Sequence, residues 1–280
     1  MDRRRTALLA VAVLTAAALG LIAPVAPVAA AAAHPTLRSG NAEITPGVLM
    51  LTPVAPGATS ACTAAFVFTG RDTTYLGYAA HCAARGEATS LSGCAERTLP
   101  VGTTVEIEGA AGFRTSGRLA YTSWGTMQDV GETDAALCTL NDFALVALSP
   151  GDVGRVDPTV PALGGPTDLD SDGTVAGEPV YSYQPQNAGR AVKSGQSLGV
   201  GTAGLTHRVQ TSPPGRPGDS GSGYLDGKGR AFGVLSTLFL DGSRTNGVTD
   251  LAHALAYASR YGGIGTVSLV LGERPFAPRD

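Results

Sequence analysis

From Cys62 onward, short apolar stretches alternate with turn-forming residues, a rhythm that predicts strands rather than long helices. Ala64–Thr69 and Thr74–Ala80 flank Gly70-Arg71-Asp72-Thr73 and read as a hairpin. In Thr104–Glu108, Val105 and Ile107 share one face. Further strands are expected at Phe113–Thr122, Phe143–Leu148, Pro179–Tyr183 and Ser197–Gln210, while Tyr224–Leu225 and Ala231–Leu240 bracket a turn at Asp226-Gly227-Lys228-Gly229. Residues 34–60 are polar and only weakly patterned. One segment has helical spacing: Leu251, Ala254, Leu255 and Ala258 form a stripe, Asp250 offers an N-cap, and Gly262-Gly263 provides the stop. A last strand is expected at Thr266–Leu271. No internal repeat or linker divides residues 34–280, and the pattern predicts an all-β barrel or sandwich with a late helix.

Composition agrees with short strands and many turns, since the 280 residues include 38 glycines and 18 prolines. Residues 1–33 have the order of a secretory signal peptide. Arg3, Arg4 and Arg5 precede an apolar run from Ala7 to about Val28, and Ala29–Ala33 offers A-x-A cleavage sites. A membrane anchor is the competing reading, but Pro24, Pro27 and the alanine tract favour cleavage. Without residues 1–33 the chain keeps 17 basic and 22 acidic residues, net −5, and no basic run. Nucleic-acid binding is thereby disfavoured, and a soluble protein secreted to the extracellular space is expected. Four cysteines in an exported chain should pair, in one of three ways. The local pairing, Cys62–Cys82 with Cys94–Cys138, would close loops contributing about 3 and 4 kcal/mol in the chain-entropy model. Asp168-Leu169-Asp170-Ser171-Asp172-Gly173 begins like a calcium loop, but Pro179 stands where the bidentate Glu belongs, so no metal is expected.

The stretch Gly215-Arg216-Pro217-Gly218-Asp219-Ser220-Gly221-Ser222-Gly223 is the most informative. A serine hydroxyl is a weak nucleophile without a base and oxyanion donors, and flanking glycines let backbone N–H groups approach a carbonyl. An ordinary Gly/Ser/Asp turn is the plainer reading. His81, in Tyr78-Ala79-Ala80-His81-Cys82, ends an apolar strand beside a cysteine that could fix its backbone. His34, His207 and His253 have no comparable setting. Asp142 precedes the apolar run Phe143–Val146, so it is expected to be partly buried and in need of a partner such as an imidazole N–H. Asp134 is its rival.

Ala79-Ala80-His81-Cys82, Asp142-Phe143-Ala144-Leu145 and Gly218-Asp219-Ser220-Gly221, in that order, resemble the signatures of the chymotrypsin/trypsin-like serine peptidases, of the bacterial secreted type. The order differs from subtilisin-like and α/β-hydrolase chains, and Ser222 replaces the second glycine of G-x-S-x-G. The resemblance implies two six-stranded antiparallel β-barrels with a C-terminal helix, making residues 34–280 one peptidase domain with its site between the halves. It implies a secreted endopeptidase in which Ser220 attacks, His81 moves the proton and Asp142 orients the imidazole. The amides of Gly218 and Ser220 would form the oxyanion hole, and Ser236, Thr237 and Leu238 would lie along the substrate, with Ser236 near Asp142. Pro214, at the pocket floor where an aspartate would select Arg or Lys, and Leu238, where many members have glycine, imply small or medium apolar side chains. Asp219 is expected to pair with an internal arginine. Peptide or protein substrates, no cofactor, no metal, no membrane contact after cleavage and a monomer complete the expectation. The alternative is a catalytically silent, protease-shaped binding protein; an esterase and a β-sandwich adhesion domain fit the motif order less well.

Overall fold

A computed structural model describes residues 42–86, 92–187, 189–239 and 242–278. The expected signal segment 1–33, His34 and the end of the strand at Leu240 lie outside the described residues. The strands are β1 (Leu49–Ala55), β2 (Ala58–Thr63), β3 (Val67–Gly70), β4 (Thr73–Tyr78), β5 (Thr104–Glu108), β6 (Arg114–Thr122) and β7 (Ala144–Ala147) in the first half. The second half holds β8 (Pro179–Tyr183), β9 (Val192–Val200), β10 (Thr206–Ser212), β11 (Gly223–Asp226), β12 (Ala231–Leu238) and β13 (Asn246–Asp250). Helices α1 (Ser123–Val130) and α2 (Ala135–Leu140) separate β6 from β7, and α3 (Leu251–Tyr261) precedes a short β14 (Ser268–Leu269).

The first sheet runs in the order β14-β3-β4-β7-β6-β5-β1-β2, and Ala64-Ala65-Phe66 alone joins β2 to β3. Ala64 exchanges backbone hydrogen bonds with Gly47 and Val48 at 2.9 and 3.0 Å, while Ala65 and Phe66 bond Gly77 of β4 at 2.7 and 3.0 Å. The sheet therefore curls shut, with β2, the link and β3 acting as one broken strand. Counted this way the first barrel has the six strands expected, and β14 is an addition paired to β3 through Ser268↔Thr69. The second half is a closed barrel, β10-β13-β12-β11-β8-β9.

Alternation fills both interiors. Met50, Val54, Val105 and Ile107 point into the first barrel, and Val209, Tyr224, Phe232 and Val248 fill the second. A third cluster lies between them, combining Phe66, Phe68, Phe143 and Leu145 with Leu225 and Val234. The α3 stripe of Leu251, Ala254, Leu255 and Ala258 packs into this seam. Each fully buried Phe or Leu there contributes about 1.5–3 kcal/mol, which holds the two halves in a fixed relation. Asp250 caps α3 by accepting a hydrogen bond from the His253 amide at 2.8 Å.

Four expectations are corrected. β1 lies inside the weakly patterned 34–60 stretch, where buried Thr52 interrupts the apolar face. α1 and α2 were not expected, since Ser123-Trp124-Gly125-Thr126 carries no apolar stripe. Ser197–Gln210 is not one strand but parts of β9 and β10, folded back through Gly201–Leu205. The last strand narrows from Thr266–Leu271 to Ser268–Leu269. At the acidic turn, Arg230 binds Asp170, Asp172 and Asp226 at 3.3, 2.6 and 2.6 Å. Burial pushes the Asp170 carboxyl up to about 6.

Candidate active site

His81 lies in a single helical turn, Ala80–Ala83, directly after β4. Asp142 grips it twice. Oδ1 accepts the His81 amide at 2.8 Å, and Oδ2 accepts the Nδ1 proton at 2.7 Å. Ser236 Oγ donates to the same Oδ2 at 2.5 Å. The carboxylate is buried, and the His81 side chain keeps 23% of its surface on a cleft also lined by Val54, Thr59, Ser60 and Gly86. With Nδ1 committed as a donor, Nε2 carries the free lone pair and can accept a proton.

Asp142 owes its place to its neighbours. Asp134, the rival carboxylate, instead caps α2 by accepting from the amides of Ala136 and Leu137. Helix α2 ends at Asn141, and Ser123 brackets Asp142 by donating to Asn141 O at 2.6 Å and accepting from the Phe143 amide at 3.1 Å. Thr249, from the second barrel, donates to Leu140 O at 3.0 Å. Cys94–Cys138 ties α2 to the segment between β4 and β5.

Burial opposes charge on both partners, but the attraction and hydrogen bonds between them outweigh it. The imidazole is thereby raised above its ordinary 6.5 and the Asp142 carboxyl lowered below 3.8.

Ser220 sits in the turn between β10 and β11. Glycines let this turn press onto the first barrel. A Cβ on Gly221 would stand 2.4 Å from Thr63 O and 3.1 Å from the Ala79 amide, and one on Gly223 would strike the Phe66 ring at 2.4 Å. Thr63 staples the turn, its amide donating to Ser220 O and its hydroxyl to Gly218 O, both at 2.8 Å. Thr63 follows Cys62, and Cys62 is disulfide-bonded to Cys82, the neighbour of His81. A short path thus runs from the serine turn to the histidine turn. The cysteines adopt the local pairing, Cys62–Cys82 and Cys94–Cys138. Ser220 Oγ itself makes no hydrogen bond to His81 among the described residues.

The amides of the turn fall into two sets. Those of Arg216, Asp219, Gly221 and Ser222 donate to Asp219 Oδ2, Arg216 O, Leu235 O and Asp219 O. Those of Gly218 and Ser220 donate to no acceptor among the described residues. Gly218 has φ 97°, a conformation that glycine adopts without strain. The turn therefore offers two free N–H donors flanking one hydroxyl.

The expected arginine partner of Asp219 is corrected. The buried carboxylate accepts from Asn187 Nδ2 at 2.7 Å and the Arg216 amide at 3.0 Å, and its Oδ1 has no hydrogen-bond partner among the described residues. A neutral amide thus makes the direct contact, and the buried Lys193 ammonium attracts the carboxylate through space. Burial raises the Asp219 carboxyl, and it lowers the buried Lys193 ammonium against the pull of Asp219. Asn187 also donates to Pro214 O at 3.2 Å, so the expected pocket floor is held through its backbone. Ser236, Thr237 and Leu238 form the half-exposed end of β12 beside the site.

A second hydroxyl–imidazole–carboxylate arrangement escaped the sequence reading. His207 Nε2 donates to Asp250 at 2.9 Å, and Nδ1 accepts from Thr174 Oγ1 at 2.9 Å, which in turn accepts from Ser197. All four side chains are buried, so this set braces the second barrel and no substrate can reach it. Exposure separates the two: only the His81 set opens to a cleft.

No family model matches this chain, and no curated protein matches it. Its overall course is similar to solved structures of serine proteases. A protease A from Thermobifida fusca is 17% identical, with a TM-score of 0.48, covering 82% of this chain and 99% of its own. A glutamic acid-specific serine protease is 19% identical, with a TM-score of 0.45, covering 81% and 100%. A chymotrypsin from Cellulomonas bogoriensis is 16% identical, with a TM-score of 0.44, covering 81% and 98%. These similarities are distant, and the geometry of the site carries its chemistry.

Proposed function

We propose that the chain is a secreted serine endopeptidase that hydrolyses peptide bonds through an acyl-enzyme. The carrying observation is the pair of free amides at Gly218 and Ser220, in a turn bound through Thr63 to the disulfide beside His81. A carbonyl oxygen placed between these amides presents its carbon to Ser220 Oγ. Attack forms the Oγ–C bond and pushes the carbonyl electrons onto the oxygen, where both N–H groups meet the growing charge. His81 Nε2 takes the hydroxyl proton, and the buried Asp142 carboxylate stabilises the resulting imidazolium. That proton passes to the leaving amine as the C–N bond breaks. Water, deprotonated by the same imidazole, then releases the acid and regenerates the Ser220 hydroxyl. The end of β12 offers a backbone edge along which an extended substrate pairs.

The two disulfides fit an oxidising compartment, and among the described residues no helix is long and apolar enough to cross a membrane. Export rests on the signal-like residues 1–33, and the monomeric state on the sequence expectation. The test is hydrolysis of an unfolded protein substrate by the chain lacking residues 1–33, beside its Ser220→Ala variant. Cleavage by the first alone supports the assignment. Equal cleavage, or none by either folded protein, overturns it and favours a silent binding protein.

A further inference from the structure

Asn246 opens β13 opposite Leu238 of β12. If a substrate carbonyl lies at Gly218 and Ser220 and its backbone runs along Ser236–Leu238, the side chain preceding the scissile bond must descend between these two walls. Asn246 already occupies that space. Its Oδ1 accepts the Gly215 amide at 2.9 Å, and its Nδ2 donates to Gly215 O and to Thr237 O, both at 3.2 Å. The residue is 1% exposed. One carboxamide thus joins the floor segment to the substrate-side strand. Both of its N–H donors are spent, and so is the Gly215 amide. The cross-link itself offers no free donor to a substrate carboxylate and no carboxylate to a cation. Asn187, bound to Pro214 O and Asp219, fixes the floor from the other side, so the space cannot deepen by moving the Gly215 segment.

Resting on the peptidase reading above, we propose that Asn246 is the specificity-determining plug: the enzyme cleaves after small uncharged side chains such as Ala, Gly or Ser, and Asn246 is what excludes larger and charged ones. Leu238 narrows the mouth, whereas Asn246 sets the depth.

The experiment measures kcat/KM for peptidyl para-nitroanilides differing only in the residue before the scissile bond (Ala, Leu, Phe, Arg, Glu). The wild type is compared with Asn246→Ala, and Ser220 labelling by a fluorophosphonate is followed in the same samples. The wild type should favour Ala over Phe, Arg and Glu by at least about tenfold, the scale of steric discrimination in a pocket. Asn246→Ala should raise the Leu-to-Ala ratio by about tenfold or more while Ser220 still labels. Should Asn246→Ala not fold, Asn246→Ser keeps a hydroxyl for the Gly215 backbone and should move the ratio the same way. A labelled wild type preferring Phe, Leu, Arg or Glu overturns this inference alone, as does an unchanged ratio in a labelled variant. A folded wild type that does not label at Ser220 overturns the peptidase reading beneath it.

Discussion

Replacing Asp142 by asparagine changes one heavy atom and leaves His81 in a tautomer that cannot act as the base. The amide can settle in two ways. If its oxygen keeps the Oδ1 position, it still accepts the His81 amide at 2.8 Å, but its NH2 then faces His81 Nδ1 and the Ser236 hydroxyl. Nδ1 must become an acceptor, the ring proton moves to Nε2, and Nε2 can no longer take a proton from Ser220. If the amide flips, its NH2 meets the His81 backbone N–H, and a buried donor is left without an acceptor at a cost of about 1–3 kcal/mol. The first arrangement avoids that cost and should prevail. Loss of a correctly protonated base at a triad lowers kcat by about 10⁴-fold, equivalent to about 5 kcal/mol of barrier. The Asp142 charge is also what raises His81, so its removal leaves burial to depress the imidazole. The assay is kcat/KM on an Ala-preceded para-nitroanilide against pH, with thermal melting as the control for folding. A folded Asp142→Asn protein retaining more than about a tenth of wild-type kcat would refute the assigned role, because even a modest base contribution is about 10²-fold.

Because His81 is raised above its ordinary 6.5, the acid limb of kcat/KM should lie above that value. Below the limb the imidazole is protonated and cannot accept the Ser220 proton, so activity falls as pH falls; a limb clearly under 6.5 in a pH–rate profile contradicts the pairing. Replacing both Cys62 and Cys82 by alanine should cost about 3 kcal/mol in denaturant unfolding, from the chain entropy of the opened loop. The same change should lower kcat more than KM rises, since the disulfide links the serine and histidine turns. Gly221→Ala places a Cβ 2.4 Å from Thr63 O at a φ of 91°, and should abolish Ser220 labelling and lower the melting temperature. Wild-type labelling in that variant would show that the turn does not depend on this close approach.

What was legible in the sequence was local. The three short motifs and the α3 stripe each occupy a few adjacent residues, and their hydrophobic spacing or order is enough to mark them. The local cysteine pairing was one of three left open, and the fold settled it by bringing the β2 end beside the His81 turn. Long-range polar partners left no local trace. Asn187 and Asn246 belong to none of the expected elements or motifs, yet one satisfies Asp219 and the other joins Gly215 to Thr237. The arginine expected at Asp219 is replaced by the Asn187 amide in direct contact and by the buried Lys193 ammonium through space, and neither stands near Asp219 in the sequence. β1 was obscured by Thr52 and Pro53, a polar inward position and a residue without an N–H, both accommodated opposite Ser60 and Thr59 of β2. His207 was passed over because a mid-strand histidine signals neither burial nor a partner, and its bonds to Thr174 and Asp250 span 33 and 43 residues.

The central claim is that Ser220 is a nucleophile activated by His81. Treating the folded chain with a fluorophosphonate and mapping the adduct by peptide mass spectrometry tests it directly. The account predicts one adduct, on Ser220, lost in His81→Ala at unchanged thermal stability. An adduct elsewhere, labelling undiminished in His81→Ala, or no labelling of the folded protein would contradict it.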